Sequence, residues 1–125
     1  MKFLWTTLSV ADFDRSLKFY QEVVGLPLKR RMDPPGMNIA FLGEGETAIE
    51  LIYDSKRPQV DLKSPVAIGF KVENLAAALA DFQAKGVKID AGPFKPNPQV
   101  QFFYVRDPDG MNVQFVEESF AAKGN

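Results

Sequence analysis

Leu4, Thr6, Leu8 and Val10 alternate with Trp5, Thr7 and Ser9, a period-two pattern that predicts a strand with one more apolar face ending at Asp12. From Asp12 the apolar positions Leu17, Phe19, Tyr20, Val23 and Val24 switch to helical spacing. Asp12 or Asp14 can cap that helix and Gly25 can close it. Three short strands are then expected, Leu26 to Met32, Met37 to Leu42 and Thr47 to Tyr53, separated by Asp33-Pro34-Pro35-Gly36 and Gly43-Glu44-Gly45. The unit reads βαβββ.

The order then repeats. A strand is expected from Val66 to Val72, and a helix from Asn74 through Leu75, Ala78, Leu79 and Phe82 to a stop at Lys85-Gly86, with three strands after it. Val10-Ala11-Asp12-Phe13 aligns with Val72-Glu73-Asn74-Leu75, and the same register superposes Leu17 on Leu79 and Tyr20 on Phe82. The closing strands Ile49-Glu50-Leu51-Ile52 and Val113-Gln114-Phe115-Val116 also match. An internal duplication explains this. It gives one domain over residues 1–125: module one at about 3–53, a polar, proline-bearing linker at 54–65, module two at about 66–118, and a tail at 119–125. Phe94-Lys95-Pro96-Asn97-Pro98-Gln99 is expected to be a loop before the strand from Val100.

Composition narrows the partners. Fifteen basic against sixteen acidic residues give a net charge of −1, so no nucleic acid or anionic membrane is expected. Without cysteine there are no disulfides, thiolate nucleophiles or soft metal ligands. The N-terminal residues do not read as a signal sequence and no apolar run approaches the roughly 20 residues of a membrane span, which implies a cytoplasmic protein. Histidine is also absent.

Leu8-Ser9-Val10-Ala11-Asp12, Ser16, Phe19-Tyr20 and Gly25-Leu26 resemble the opening of the vicinal oxygen chelate superfamily, which includes glyoxalases, bleomycin-resistance proteins and extradiol dioxygenases. Ile68 to Asn74, Lys85-Gly86-Val87, Asp107-Pro108-Asp109-Gly110 and Val113 to Glu118 resemble its later motifs. The resemblance implies an α+β fold of two tandem βαβββ modules forming an incomplete curved β-barrel with helices outside, commonly as a homodimer. In the lyase branch a divalent ion is held by one residue on the first and one on the last strand of each module. Those positions map here to Trp5, Glu50, Ala67 and Gln114.

Trp5 and Ala67 offer no metal donor, while Glu50 and Gln114 offer at most two oxygens, enough only for a weakly held hydrated divalent cation. The chain is therefore identified as a divergent member lacking the metal-binding histidines, with no cofactor expected. If Trp5 points inward, strand parity also points Thr7, Ser9, Ala48, Glu50, Ile52, Ala67, Gly69, Lys71, Asn112, Gln114 and Val116 inward. Leu4, Leu8, Val10, Ile49, Leu51, Ile68, Phe70, Val72, Val113 and Phe115 then pack beneath the helices. Trp5, Thr7, Glu50, Ala67, Gly69, Asn112 and Gln114 become the candidate ligand-binding residues. Trp5 could equally plug a vacated cavity, and Glu50 could be a relic bonded to Gln114, Thr7 or water. Among Phe102, Phe103 and Tyr104, at least one must face away from the others. Lys29-Arg30-Arg31 could meet an anion or merely form a solvated edge.

The leading expectation is a metal-independent protein that sequesters an aromatic or amphipathic small molecule as a homodimer without chemistry. Its rival is a glyoxalase-like lyase or isomerase, with Glu50 as a metal-free general base strengthened by apolar surroundings. A third class has a filled cavity and a regulatory or structural role.

Overall fold

A computed structural model describes residues 1–119 and divides the chain into two compact units. The first comprises Met1–Lys63 with Pro108–Gly110, and the second comprises Ser64–Asp107 with the chain from Met111 onward. The tail beyond residue 119 lies outside the described residues.

The first unit runs β1 (Trp5–Ser9), α1 (Phe13–Lys18), a π-helical turn (Phe19–Val23), β2 (Leu28–Met32), β3 (Met37–Leu42) and β4 (Ala48–Asp54). The strands form one mixed sheet in the order β1-β4-β3-β2, with β1 parallel to β4 and the other pairs antiparallel. The second unit contains β5 (Ala67–Lys71), α2 (Leu75–Ala84), β6 (Ala91–Asn97), β7 (Val100–Arg106) and β8 (Asn112–Glu118), in the order β5-β8-β7-β6. The fold class is α+β, two tandem βαβββ modules with a four-stranded mixed sheet each, and neither sheet is closed.

The repeat is visible in individual bonds. Asp12 caps α1 by accepting from the Arg15 amide at 3.1 Å, and Asn74 caps α2 by accepting from the Ala77 amide at 2.9 Å. Each cap satisfies a backbone donor that a helix start leaves unpaired. Immediately before each cap, Val10 N donates to Ile52 O and Val72 N donates to Val116 O, both at 2.8 Å. Glu117 adds to the α2 start, since its carboxylate accepts from the Leu75 amide at 2.7 Å and from Gln101 at 3.2 Å. These bonds, that of Leu75 foremost, hold the Glu117 carboxyl below its ordinary range.

One face of each sheet is the core. Leu8, Val10, Leu51 and Ile49 are buried with Phe13, Leu17 and Tyr20, and Phe103, Val113 and Phe115 are buried with Leu75 and Phe82. Phe82 meets Phe103 and Phe115 edge-on at 5.6 and 4.8 Å, so three rings lock α2 to its sheet. Burying each such side chain stabilises the fold by roughly 1.5–3 kcal/mol. The expected core is corrected at Leu4, which is half exposed because it precedes β1, and at Ile68, Phe70 and Val72, which are only half-buried.

Two local expectations also change. The first helix widens into π geometry from Phe19, with Val24 N bonded to Phe19 O at 3.1 Å, while Tyr20 lies fully buried. The expected loop at Phe94–Gln99 is strand as far as Asn97. Because β6 is an edge strand, Pro93 and Pro96 need not donate to a second neighbour, and the pairing with β7 slips twice around Phe94. Gly92 has φ +97 and lies so close to β7 that a Cβ there would be 3.1 Å from Phe102 O and Phe103 Cα. The turn proper is Pro98-Gln99, closed by the Gln99 amide on Asn97 Oδ1 at 2.9 Å.

Candidate functional site

Strand pairing decides which side chains share a face. In the first unit Thr7 pairs with Glu50, Glu50 with Phe41, and Phe41 with Arg30, a continuous row across all four strands. Directly paired residues project to the same side, so this row lies on the face opposite α1. Arg31, the next residue along β2, confirms the parity, because its guanidinium lies 4.9 Å from the ring of Phe13 on α1.

The row has a defined geometry. Thr7 Oγ1 donates to Glu50 Oε1 at 2.6 Å, fixing one carboxylate oxygen, while Oε2 has no protein donor among the described residues. Trp5, one pleat from Thr7, meets Phe41 edge-on with centroids 5.2 Å apart. The Arg30 guanidinium lies 4.6 Å from the centre of the same ring. Phe41 is thus buried although it faces away from the helix, and it forms an apolar floor beside Glu50. Glu50 itself is half-buried and Trp5 is 44% exposed. Further along the face, Ser9 and Ile52 enter the lining of a cavity of about 430 Å³ with Met37, Asp54, Arg57, Gln59, Val60 and Asp61. The expected linker therefore has structure, since part of it walls this cavity and Leu62 N donates to Asp109 O at 2.9 Å.

The remaining candidate residues belong to the second unit. Gly69 pairs with Gln114, Gln114 with Tyr104, and Ala67 with Asn112, which places all of them on the face opposite α2. Gln114 Nε2 is 3.2 Å from Tyr104 Oη, and a Cβ at Gly69 would be 3.3 Å from Gln114 Oε1, so glycine leaves space for the amide. Asn112 Oδ1 is buried without a partner among the described residues. The aromatic question resolves by parity: Phe103 is in the core, and Phe102 and Tyr104 lie with Gln114 and Phe94 on the open face.

The structure accordingly brings Trp5, Thr7 and Glu50 together on one sheet, and Ala67, Gly69, Asn112 and Gln114 together on the other. Glu50 takes its hydrogen bond from Thr7, not from Gln114. Sequence reasoning missed Phe41 and left open which of Phe102, Phe103 and Tyr104 faces the cavity, and alternation along β3 and β7 is the signal that could have settled both.

The four positions that the resemblance maps onto a divalent-ion site, Trp5, Glu50, Ala67 and Gln114, carry an indole, a carboxylate, a methyl group and an amide. Among the described residues, no three His, Cys, Asp or Glu side chains come together as a metal site. One carboxylate and one neutral amide do not fit a transition-metal site of three or more protein ligands.

Two tandem βαβββ units, each with a helix-backed sheet and a polar open face, define the vicinal oxygen chelate class of fold. The chain belongs to the Glyoxalase/Bleomycin resistance protein/Dioxygenase superfamily, whose family model matches residues 2–115. It is 38% identical over 135 residues to a lactoylglutathione lyase of Haemophilus influenzae, covering 99% of this chain and 98% of that protein. The trypanothione-dependent glyoxalase I of Leishmania major superposes with a TM-score of 0.81 at 30% identity, covering 94% of this chain and 87% of that one. An antibiotic-binding protein of Streptomyces, TnmS3, superposes with a TM-score of 0.76 at 22% identity over 95% of this chain and 97% of its own, a likeness of fold alone. The expectation of a non-catalytic sequestering protein is corrected by these relatives: the full-length match is a lyase, whereas similarity to a binding protein extends only to the fold. Missing imidazoles argued for inertness only if no other group can do the chemistry.

Proposed function

We propose that the chain is a glyoxalase-type lyase or isomerase in which Glu50 is the general base and no metal takes part. The carrying observation is the 2.6 Å bond from Thr7 to Glu50, which orients a carboxylate on an open face with one oxygen tied and one available. A base must be held within reach of the proton it removes, and this bond supplies that orientation; turnover by the wild type and its loss in Glu50→Gln separate a base from a relic carboxylate with the same bond.

Lactoylglutathione, named in the relative, is a 2-hydroxy thioester and an isomer of the hemithioacetal formed by a thiol and a 2-oxoaldehyde. Interconversion needs one proton removed from the carbon bearing sulfur and one delivered to the neighbouring carbon, with no net oxidation. Glu50 Oε2 takes the proton from the carbon bearing sulfur and returns it to the adjacent carbon, while the hydroxyl proton on the first carbon passes to the carbonyl oxygen of the second, so the old hydroxyl becomes the thioester carbonyl, the old ketone becomes the hydroxyl, and atoms and charge balance. Trp5 and Phe41 supply the apolar surface beside it for the hydrocarbon part of the substrate. The filled-cavity reading is less well supported, because about 430 Å³ adjoining Ser9 and Ile52 is room for a small molecule.

We infer a homodimer from the same reading. Leu28 and Met32, on the sheet-edge strand β2, are large apolar side chains left exposed, as an edge covered by a second copy would be. A cytoplasmic location suits a thiol substrate, which that compartment keeps reduced. Sedimentation and cell fractionation test these two points.

The activity is tested by mixing glutathione with methylglyoxal and following thioester absorbance. Turnover above the spontaneous rate is expected, with Glu50→Gln slower by roughly 10²–10⁴-fold. Undiminished turnover in Glu50→Gln, or none in the wild type, overturns the reading.

A further inference from the structure

The three consecutive cations of β2 have different surroundings. Lys29 Nζ is held by the backbone carbonyls of Gly45 and Thr47. Arg31 Nε lies 3.2 and 3.1 Å from the two oxygens of Asp33 and faces α1 through Phe13. Arg30 has neither: among the described residues its guanidinium makes no hydrogen bond or ion pair, and it lies over the Phe41 ring, 4.6 Å from its centre. A guanidinium held over an aromatic ring spends none of its N–H donors on that contact, so they stay available to a ligand. By strand register Arg30 is on the same face as Glu50, two strands away, a separation of about 10 Å at the usual inter-strand spacing.

We propose that Arg30 is a specificity-determining residue that binds a carboxylate of the thiol substrate in bidentate fashion, about 10 Å from the carbon at which Glu50 acts. This rests on the glyoxalase-type reading of the Glu50 face. The chemistry is complementary: a planar fork of donors matches a planar carboxylate, and Phe41 pre-orients the fork so that less side-chain freedom is lost on binding. Glu50 would repel a carboxylate placed beside it, so the Arg30 end of the row is where the substrate's negative charge belongs.

The test uses S-methylglutathione, an unreactive thioether carrying two carboxylates, and its diethyl ester, with binding read from the fluorescence of Trp5, the sole tryptophan. Arg30→Met keeps the apolar stem and should weaken S-methylglutathione binding roughly 10- to 100-fold while leaving the ester unchanged. Arg30→Lys should recover only part of the loss. In turnover, Arg30→Met should raise KM for the glutathione adduct with kcat little altered. Equal affinity of the wild type and Arg30→Met for S-methylglutathione overturns the proposal, as does an equal loss for acid and ester, which would mark a structural role. Failure of the glyoxalase reading looks different: binding would keep its Arg30 dependence while the wild type turned over no hemithioacetal.

Discussion

Replacing Thr7 with valine removes one oxygen and preserves volume and branching, so it tests whether the Thr7–Glu50 bond serves catalysis. The bond spans 2.6 Å and joins a hydroxyl to a carboxylate, the stronger, charge-assisted kind. Such bonds contribute about 1.5–3 kcal/mol, but Thr7 is exposed and water can replace it, which places its contribution near 1–2 kcal/mol. If that energy holds the carboxylate in its reactive orientation, Thr7→Val should lower kcat for hemithioacetal isomerisation roughly 5- to 30-fold, with little change in thermal stability. The decisive measurement is the double variant. Thr7 acts only through Glu50, so adding Thr7→Val to Glu50→Gln should cost almost nothing further, because the proton acceptor has already gone. Steady-state kinetics on the four proteins closes the cycle. A full additional 5- to 30-fold loss in the double variant would refute the argument, showing that Thr7 contacts substrate independently.

Prolonged dialysis against a chelator should leave turnover unchanged, since one carboxylate and one amide cannot hold a transition ion; loss restored by zinc or nickel would show ligands outside the mapped positions. Asn74→Ala should destabilise the protein by about 1 kcal/mol and lower Tm by roughly 3–5 °C, with Asn74→Asp close to wild type in calorimetry. Glu117 has a depressed folded pKa, so its contribution to stability is present above its ordinary value of 4.5 and fades as pH falls through the folded value. The Tm gap between wild type and Glu117→Gln should therefore be widest near neutrality and close in acid, and a gap that widens on acidification would contradict the bond to the Leu75 amide.

Much of the fold is legible in the sequence because it rests on short-range rules applied twice. Asp12 and Asn74 stand one residue before their helices, β3 spans Met37–Leu42 as alternation predicts, and glycine punctuates the helix ends. The failures have local physical causes. A run with two prolines reads as a loop unless its place at a sheet edge is known, and edge placement follows from strand order, which β6 alone does not disclose. The pairing of β2 with β3 slips between Leu28 and Arg30, so parity counted from the start of that strand cannot assign faces to its three cations.

The functional misreading has a deeper origin. Metal ligands can be counted from sequence, because a missing imidazole is missing wherever the chain goes, and that count favoured an inert pocket. A general base cannot be counted in this way. Its competence depends on what holds it, and Thr7 and Glu50 are 43 residues apart, joined only once parallel pairing of β1 with β4 brings them opposite each other. The same pairing, continued through Phe41 to Arg30, turns four separate side chains into one row with an oriented carboxylate, an apolar floor and a cation. Chemistry shared across strands in this way is specified by register, and register is a property of the folded sheet. The chain can therefore lack every imidazole of a metal-dependent site and still present the parts of a proton-transfer site on the same strands.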